Sequence, residues 1–298
     1  MNIYTNKFSQ QDEKKIREFF IQKNGNFSDM QYAFWKVTLN GLSVVFYKSG
    51  KFVIQGKEVS SLVLDFEKFM NIKSVINAEA EKSSDEEIII PATEYIGTDE
   101  SGKGDFFGPL VTAGVLINSE LKEKFVDLGI KDSKKLDDKT ITKLSAHIRN
   151  SAIHSIVVIM PEKYNKLYES FKNLNKLLAW GHARVIENIL EKKQCEYALA
   201  DKFGDESLIQ NSLMKLGQKI NLVQRVRGES DIAVAAASVI ARAEFVKRVN
   251  EMSYKYGITF PKGASDKVVE TAKMFSDKFG KKSLSEVSKI HFKTYNLL

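Results

Sequence analysis

The 298-residue chain has one cysteine, Cys195, and only four histidines. A single thiol excludes an intramolecular disulfide and any cysteine-rich zinc site. Cys195 stands beside "EKKQ" in no nucleophile signature and is expected to be a structural bystander. Long apolar runs are also missing. The longest, such as "SIVVIM" at 155–160, fall far short of the roughly 20 residues that a membrane helix needs, so no span is expected. The start, "MNIYTNKFSQQDEKK", lacks the basic-then-apolar order of a secretory signal, and cytoplasmic residence is the expectation. Neither an internal repeat nor a low-complexity tract is visible.

A hydrophobic fraction of 43% and a charged fraction of 28% are those of a globular protein, and the length allows about two domains. The net charge of +7 is compatible with a polyanionic partner but does not by itself require one. Its distribution says more. Residues 1–76 carry +4, residues 77–88 carry −4, and residues 89–298 carry +7. The acidic stretch "NAEAEKSSDEEI" has no apolar periodicity and cannot bury enough surface to offset its own ordering entropy. Residues 77–90 are therefore expected to link a first domain, 1–76, to a second, 91–298.

In the first block Ile16, Phe19 and Phe20 follow helical spacing behind Ser9, a candidate N-cap. "YAFWKVTLNG", "LSVVFYKSG" and "KFVIQG" read as strands broken at Asn40-Gly41 and Ser49-Gly50, and "EVSSLVLDFEKFM" reads as a closing helix. A small α+β domain with an antiparallel sheet is expected. Its aromatics alternate with Lys36, Lys48, Lys51 and Lys57, which fits either a nucleic-acid face or an ordinary division into buried and wet faces. Downstream, "YIGTD", "PLVTAGVLI", "HSIVVIM" and "EYALAD" read as strands. They alternate with long helices in "LNKLLAWGHARVIENILEKK" and "DIAVAAASVIARAEFVKRVN", and "SDKVVETAKMFSDKF" and "SLSEVSKI" are further helical patterns. The expected class is α/β, with helices layered on a sheet.

The adjacent carboxylates Asp99 and Glu100 in "YIGTDESGKGDFFGPL" invite a chemical explanation. Successive residues of a regular strand face opposite sides, so the two are expected to converge only where the pleat breaks, at a strand end or bulge, with Gly102 and Gly104 supplying the break through positive φ. Lys103 between them could meet a phosphate. Asp201 ends the strand in "EYALAD", at the sheet edge where open α/β folds collect ligands. Glu229 precedes a helix with an unusually small face, Ala235 to Ser238, and Ser230 or Asp231 would cap it. Carboxylates without a Cys or His cluster suit Mg²⁺ or Mn²⁺ and not zinc.

These motifs resemble the signature of type 2 ribonucleases H, and more closely that of the ribonuclease HIII family. "GTDESGKGDFFGPL" carries Asp105-Phe106-Phe107 where ribonuclease HII usually has small and apolar residues. The resemblance continues through "GIKDSKKL", "ADKF", "VAAASVIAR", "FPKGAS" and "KIHFKT", and covers residues 92–298. It implies a ribonuclease H-like mixed sheet flanked by helices, preceded by a small domain similar to the TATA-box-binding-protein fold that grips substrate. It also implies endonucleolytic cleavage of the RNA strand of an RNA·DNA hybrid, leaving 5′ phosphate and 3′ hydroxyl ends. Two metal ions, Mg²⁺ or Mn²⁺, would be held by Asp99, Glu100, Asp201 and Glu229, with Asp205 and Asp231 as alternatives for the last. Ser101, Gly102, Lys103 and Gly104 would read ribose 2′ hydroxyls, and Asp132, Ser133, Lys134 and Lys135 would contact phosphate. His182 is open between packing and substrate contact. No membrane or obligate protein partner is expected, and the chain is expected to act as a monomer. The alternatives are ribonuclease HII-like cutting at a single embedded ribonucleotide, and a hybrid-binding protein without activity.

Overall fold

Asn40 and Gly41 both take positive φ, 47° and 76°, which suits the two-residue turn whose twist matches its flanking strands. They join β3 (Ala33–Leu39) to β4 (Leu42–Tyr47), and a second turn with Gly50 at φ 85° leads into β5 (Lys51–Gln55). The structure, a computed structural model, describes residues 3–56, 59–71, 90, 92–131, 133, 136–205, 207–226 and 228–298. Lys57, nearly all of the expected linker, and Asp132, Lys134 and Lys135 lie outside the described residues. The chain divides into two compact units, residues 1–89 and 90–298.

In the first unit β1 (Ile3–Lys7) and β2 (Asn26–Ser28) add the two edges of a five-stranded antiparallel sheet ordered β1-β5-β4-β3-β2. Neither edge strand was expected; both are short and largely polar. Alternate residues of the central strands, including Trp35, Val37, Phe46, Phe52 and Ile54, are buried. They share one core with α1 (Glu13–Gln22) and α2 (Val59–Met70), through Ile16, Phe19, Phe20, Val63 and Phe66. Phe52 and Phe66 stack with ring centroids 4.9 Å apart. Ser9 acts one turn before α1: its amide and hydroxyl both donate to the Asp12 carboxylate, at 2.9 and 2.7 Å.

The second unit is built on a mixed sheet ordered β10-β9-β6-β7-β8. Strands β6 (Glu94–Ser101), β7 (Leu110–Asn118) and β8 (His154–Ile159) run antiparallel, whereas β9 (Tyr197–Asp201) and β10 (Asn221–Arg225) lie parallel to β6. The connections contain α3 (Ser119–Asp127), α4 (Asp138–Ser151), α5 (Pro161–Phe171) and α6 (Leu174–Leu190). After β10 come α7 (Ile232–Tyr256) and α8 (Asp266–Phe279). Helices α3 to α5 and strand β10 were not expected. The "SLSEVSKI" pattern is helical only over Leu284–Val287, after which Ser288 bridges to Phe107.

Small residues set how closely helices approach this sheet. A Cβ on Gly97 would collide with the Ala233 carbonyl carbon and the Val234 amide, so α7 lies directly on β6. On the opposite face, a Cβ on Gly181 of α6 would lie 2.9 Å from the Thr112 side chain of β7. Thus the sheet is clamped between α6 and α7. Cys195 is half-buried at its periphery, with burial pushing the thiol pKa up to about 11, in keeping with a structural role.

The loop after β6 is fastened by the C-terminal segment. Lys289 is fully buried, and its Nζ donates to the carbonyls of Asp105 at 2.8 Å and Gly108 at 2.7 Å while lying 5.6 Å from the Tyr164 ring centroid. Backbone amides of Lys289 and Gly108 pair with Phe106 and Val287 carbonyls. Burial drives the Lys289 pKa down to about 7, despite the opposing pull of Asp105.

Two outcomes follow from these contacts. Gly97→Ala should destabilise the protein by about 1–3 kcal/mol through overpacking, seen as a lower urea midpoint at unchanged slope. For Lys289, both folded and unfolded chains hold the proton below pH 7, and the burial penalty stands in full. Between about 7 and the ordinary value of 10.5 the unfolded chain binds more protons, so stability should rise with pH. Urea titrations at a series of pH values should show this rise in the wild type relative to Lys289→Met; parallel profiles would refute it.

Candidate active site

The β6/β7 ladder runs unbroken through Asp99↔Ala113, Glu100↔Thr112 and Ser101↔Val111. The expected break in the pleat at Asp99 and Glu100 is therefore absent, because antiparallel pairing to β7 keeps both residues in regular strand. The break comes later, at Gly102, whose φ is 89° and whose Cβ would run into the Pro109 carbonyl oxygen. Only Gly102 supplies positive φ; Gly104 does not, and instead lies exposed with open space around it. Asp99 and Glu100 thus project to opposite faces of β6, Asp99 towards α7 and Glu100 towards α6.

Pairing on the other side of β6 explains how they still share a site. The β6/β9 ladder ends at Thr98↔Ala200, so the next residues along both strands, Asp99 and Asp201, stand together at the end of the parallel pair. Asp201 Oδ1 accepts from the Gly228 amide at 3.0 Å. A Cβ at Gly228 would lie 2.9 Å from the Asp201 Cα, so the absence of a side chain brings the turn Gly228–Ser230, and with it Glu229, alongside Asp201. Each of the four carboxylates Asp99, Glu100, Asp201 and Glu229 is partly exposed.

Their electrostatics are those of a crowded anionic cluster. Burial, then the charge of Glu100, raises the Asp99 pKa well above the usual carboxylate range; the Glu100 amide, 2.7 Å from Oδ1, and the Ser238 hydroxyl oppose the shift. Asp201 is raised mainly by burial, with Glu229 and Glu100 adding repulsion against the Gly228 hydrogen bond. Burial acts to raise Glu100 too, but His182 and Lys103 outweigh it and bring the group below its ordinary value. His182 Nε2 lies 3.2 Å from Glu100 Oε2, and Lys103 Nζ 3.4 Å from Oε1.

His182 is wholly buried, with Nδ1 2.9 Å from Thr98 Oγ1 and its ring stacked on Phe203 at 5.1 Å. An ionised carboxylate only accepts, so Nε2 donates to Glu100. Lys103 lies over the same Phe203 ring at 5.5 Å. His182, Thr98 and Phe203 therefore hold Glu100 from behind. A histidine in a long apolar helix gave little sign of this duty before the fold placed α6 under β6.

The alternatives for the fourth carboxylate are occupied by structural work. Asp231 caps α7 through Oδ1, which accepts from Ala233 at 2.8 Å and Val234 at 3.4 Å, while Oδ2 accepts from the Tyr95 hydroxyl at 2.7 Å. Asp205 is exposed and accepts from the Ser207 amide at 2.9 Å. Of the expected phosphate-contacting residues, only Ser133 is described; it is buried, and its hydroxyl lies 2.6 Å from that of Ser238. Among the described residues no three histidine, cysteine or acidic side chains stand close enough together, as they are placed, to hold a metal ion. Asp99, Glu100 and Asp201 each have protein donors within hydrogen-bond distance.

The Ribonuclease HII family profile matches residues 96–295. The ribonuclease HIII of Protochlamydia amoebophila is 41% identical over 96% of this chain and 93% of its own length. That of Chlamydia pneumoniae is 36% identical over 95% and 94%. Among solved structures, Bst-RNase HIII in complex with Mn²⁺ superposes with a TM-score of 0.65 and 26% identity, covering 99% of this chain and 97% of that one. Aquifex aeolicus RNase H3 gives 0.57 and 28%, covering 97% and 99%. The chain belongs to the type 2 ribonuclease H family, on its ribonuclease HIII branch, and is a ribonuclease H hydrolase.

Proposed function

We propose that the protein cleaves the RNA strand of RNA·DNA hybrids endonucleolytically, by two-metal hydrolysis that leaves 5′ phosphate and 3′ hydroxyl ends. The observation that carries this reading is the assembly of Asp99, Asp201 and Glu229 from three separate segments at one strand end, with Glu100 beside them. The donor set fits hard divalent cations: it is all carboxylate, and burial followed by mutual repulsion raises Asp99 and Asp201, a cost that a cation would relieve. Divalent cations held by these four residues would supply Lewis acidity, activating water and offsetting charge at the leaving 3′ oxygen.

The chain's own residues provide the positioning. His182, braced by Thr98 and Phe203, keeps Glu100 ionised and aimed. The turn made possible by Gly102, packed against Pro109, leads to the exposed Gly104 backbone, where a 2′ hydroxyl would distinguish ribose from deoxyribose. Lys103 serves as a counter-charge for Glu100 and for substrate phosphate, and the sequence Asp132-Ser133-Lys134-Lys135 supplies further phosphate contact. The N-terminal unit holds the hybrid, and the protein acts as a monomer.

A cleavage assay with labelled strands tests this reading. A continuous hybrid should be cut in Mg²⁺ or Mn²⁺, and Asp99→Asn should lose more than about a hundredfold in rate, since even partners of metal ligands are worth 10- to 100-fold. Efficient cutting at a single embedded ribonucleotide would indicate the ribonuclease HII mode instead. Stability should move the other way. With its folded pKa raised, Asp99 imposes a cost that grows as pH rises from 3.8 through that pKa and stands in full once the group ionises. Without added cation, Asp99→Asn should therefore melt higher at neutral pH, whereas Mn²⁺ should raise the melting temperature of the wild type more than that of the variant.

A further inference from the structure

Asp105 follows the tip Lys103–Gly104, whose glycine is exposed, and each of its polar groups is committed. Its amide closes the turn on the Gly102 carbonyl at 3.4 Å, its carboxylate accepts from the Gly263 amide at 2.7 Å, and its carbonyl accepts from Lys289 Nζ at 2.8 Å. The residues that follow are held as firmly. The Phe106 amide donates to the Gly263 carbonyl and its carbonyl accepts from the Lys289 amide, both at 2.9 Å, while the Gly108 amide donates to the Val287 carbonyl at 3.0 Å. Phe106 and Phe107 between them are buried. A two-residue tip thus stands on a base that Gly263 and the 287–289 segment hold from behind.

Those holders lie 158 and 184 residues from Asp105 in sequence, and the second is itself braced. Asn165 of α5 is buried; its Nδ2 donates to the carbonyls of Ser285 and Ser288 at 3.1 and 2.9 Å, and its Oδ1 accepts from the Ile290 amide at 3.1 Å. Lys289 is the costly member, because a fully buried ammonium is expensive to desolvate and packing alone would be served by an apolar side chain. Two of its three N–H donors meet carbonyls, those of Asp105 and Gly108, and the Tyr164 ring lies 5.6 Å from Nζ. The two acceptors flank the Phe106–Phe107 pair, so one ammonium spans the base of the tip.

We propose that Asp105 and Lys289 are positioning residues for substrate recognition, which together hold the Lys103–Gly104 tip in the pose in which its backbone meets the ribose of the RNA strand. Neither side chain acts on substrate; both act through the backbone of the tip. The proposal rests on the reading of that tip as the ribose sensor and deepens it, by making the C-terminal segment around Lys289 part of recognition.

Steady-state cleavage of a continuous RNA·DNA hybrid by the full-length protein in Mn²⁺ separates this role from a merely structural one. Lys289→Met, close in shape but without a donor, should raise KM about tenfold and leave kcat within about twofold, the pattern of lost binding that ground and transition states share. Asp105→Leu should raise KM likewise, whereas Asp105→Asn, whose side-chain oxygen still accepts from Gly263, should recover most of the loss. Hydrogen exchange at the amides of 102–108 should quicken in both impaired variants. Should Lys289→Met fail to fold, the two Asp105 variants decide by the same criteria. Wild-type KM in Lys289→Met and Asp105→Leu, or a fall in kcat at unchanged KM, would overturn the proposal. Gly104→Val is the control for the underlying reading: open space around Gly104 leaves the fold room for the side chain, which would then stand between tip and ribose. Unchanged KM there would remove the tip as ribose sensor, and the proposal with it; raised KM there beside wild-type KM in the other variants would overturn the proposal alone.

Discussion

Four carboxylates crowded at the end of a parallel strand pair repel one another, and much of the second unit is arranged to keep them there. Burial and mutual repulsion raise Asp99 and Asp201, and local donors oppose the rise. Three of the four carboxylates have named donors. The Glu100 amide and Ser238 serve Asp99, the Gly228 amide serves Asp201, and His182 with Lys103 serves Glu100. Such donors weaken the repulsion without cancelling it, leaving the site disposed towards an added positive charge. Stability given up here is the usual accompaniment of a site built for function.

The donors come from both faces of the sheet, which is why close helix packing matters to the chemistry. Gly97 lets α7 descend onto β6 far enough for Ser238 to meet Asp99. Across the sheet, Gly181 lets α6 settle on Thr112, with His182 next to it reaching Thr98 and Glu100. Larger residues at either glycine would lift a helix, and a hydrogen bond of about 3 Å tolerates little displacement before it weakens. Packing and electrostatics are therefore one constraint in this site.

Much of this was legible in the sequence. The Asn40-Gly41 turn, the alternation of β3 to β5 and the small face of α7 are local patterns, and local patterns survive into the fold. The carboxylates were visible as residue types at strand ends and before a helix. Their arrangement was not, because it depends on where ladders end: β7 pairs with β6 past Glu100, whereas β9 stops pairing at Thr98. A break at a strand end or bulge was expected, and it is the strand end: the two carboxylates stand on opposite faces of a regular strand that stops one residue later, with Gly102 and not Gly104 turning the chain. His182, Phe203 and Ser238 carried no strong signal, since each acts across elements separated in sequence by dozens of residues. Helices α3 to α5 were passed over although their apolar residues follow helical spacing as clearly as those of α1, as Ile141, Leu144 and Ile148 of α4 show.

Glu229 and Asp231 show why residue type alone could not assign the site. They are two positions apart, both acidic and both beside the start of α7. Asp231 has helix amides on one oxygen and the Tyr95 hydroxyl on the other, so taking it for a cation would uncap α7 and leave a buried phenol without its acceptor. Glu229, in the turn that Gly228 presses against Asp201, carries its charge close enough to raise that neighbour. One acidic residue fixes the helix and thereby the place of the other. The cap keeps α7 in register with β6 at Tyr95, and the same register sets Ser238 beside Asp99 two turns further on, so a hydrogen bond remote from the carboxylates still governs how they meet.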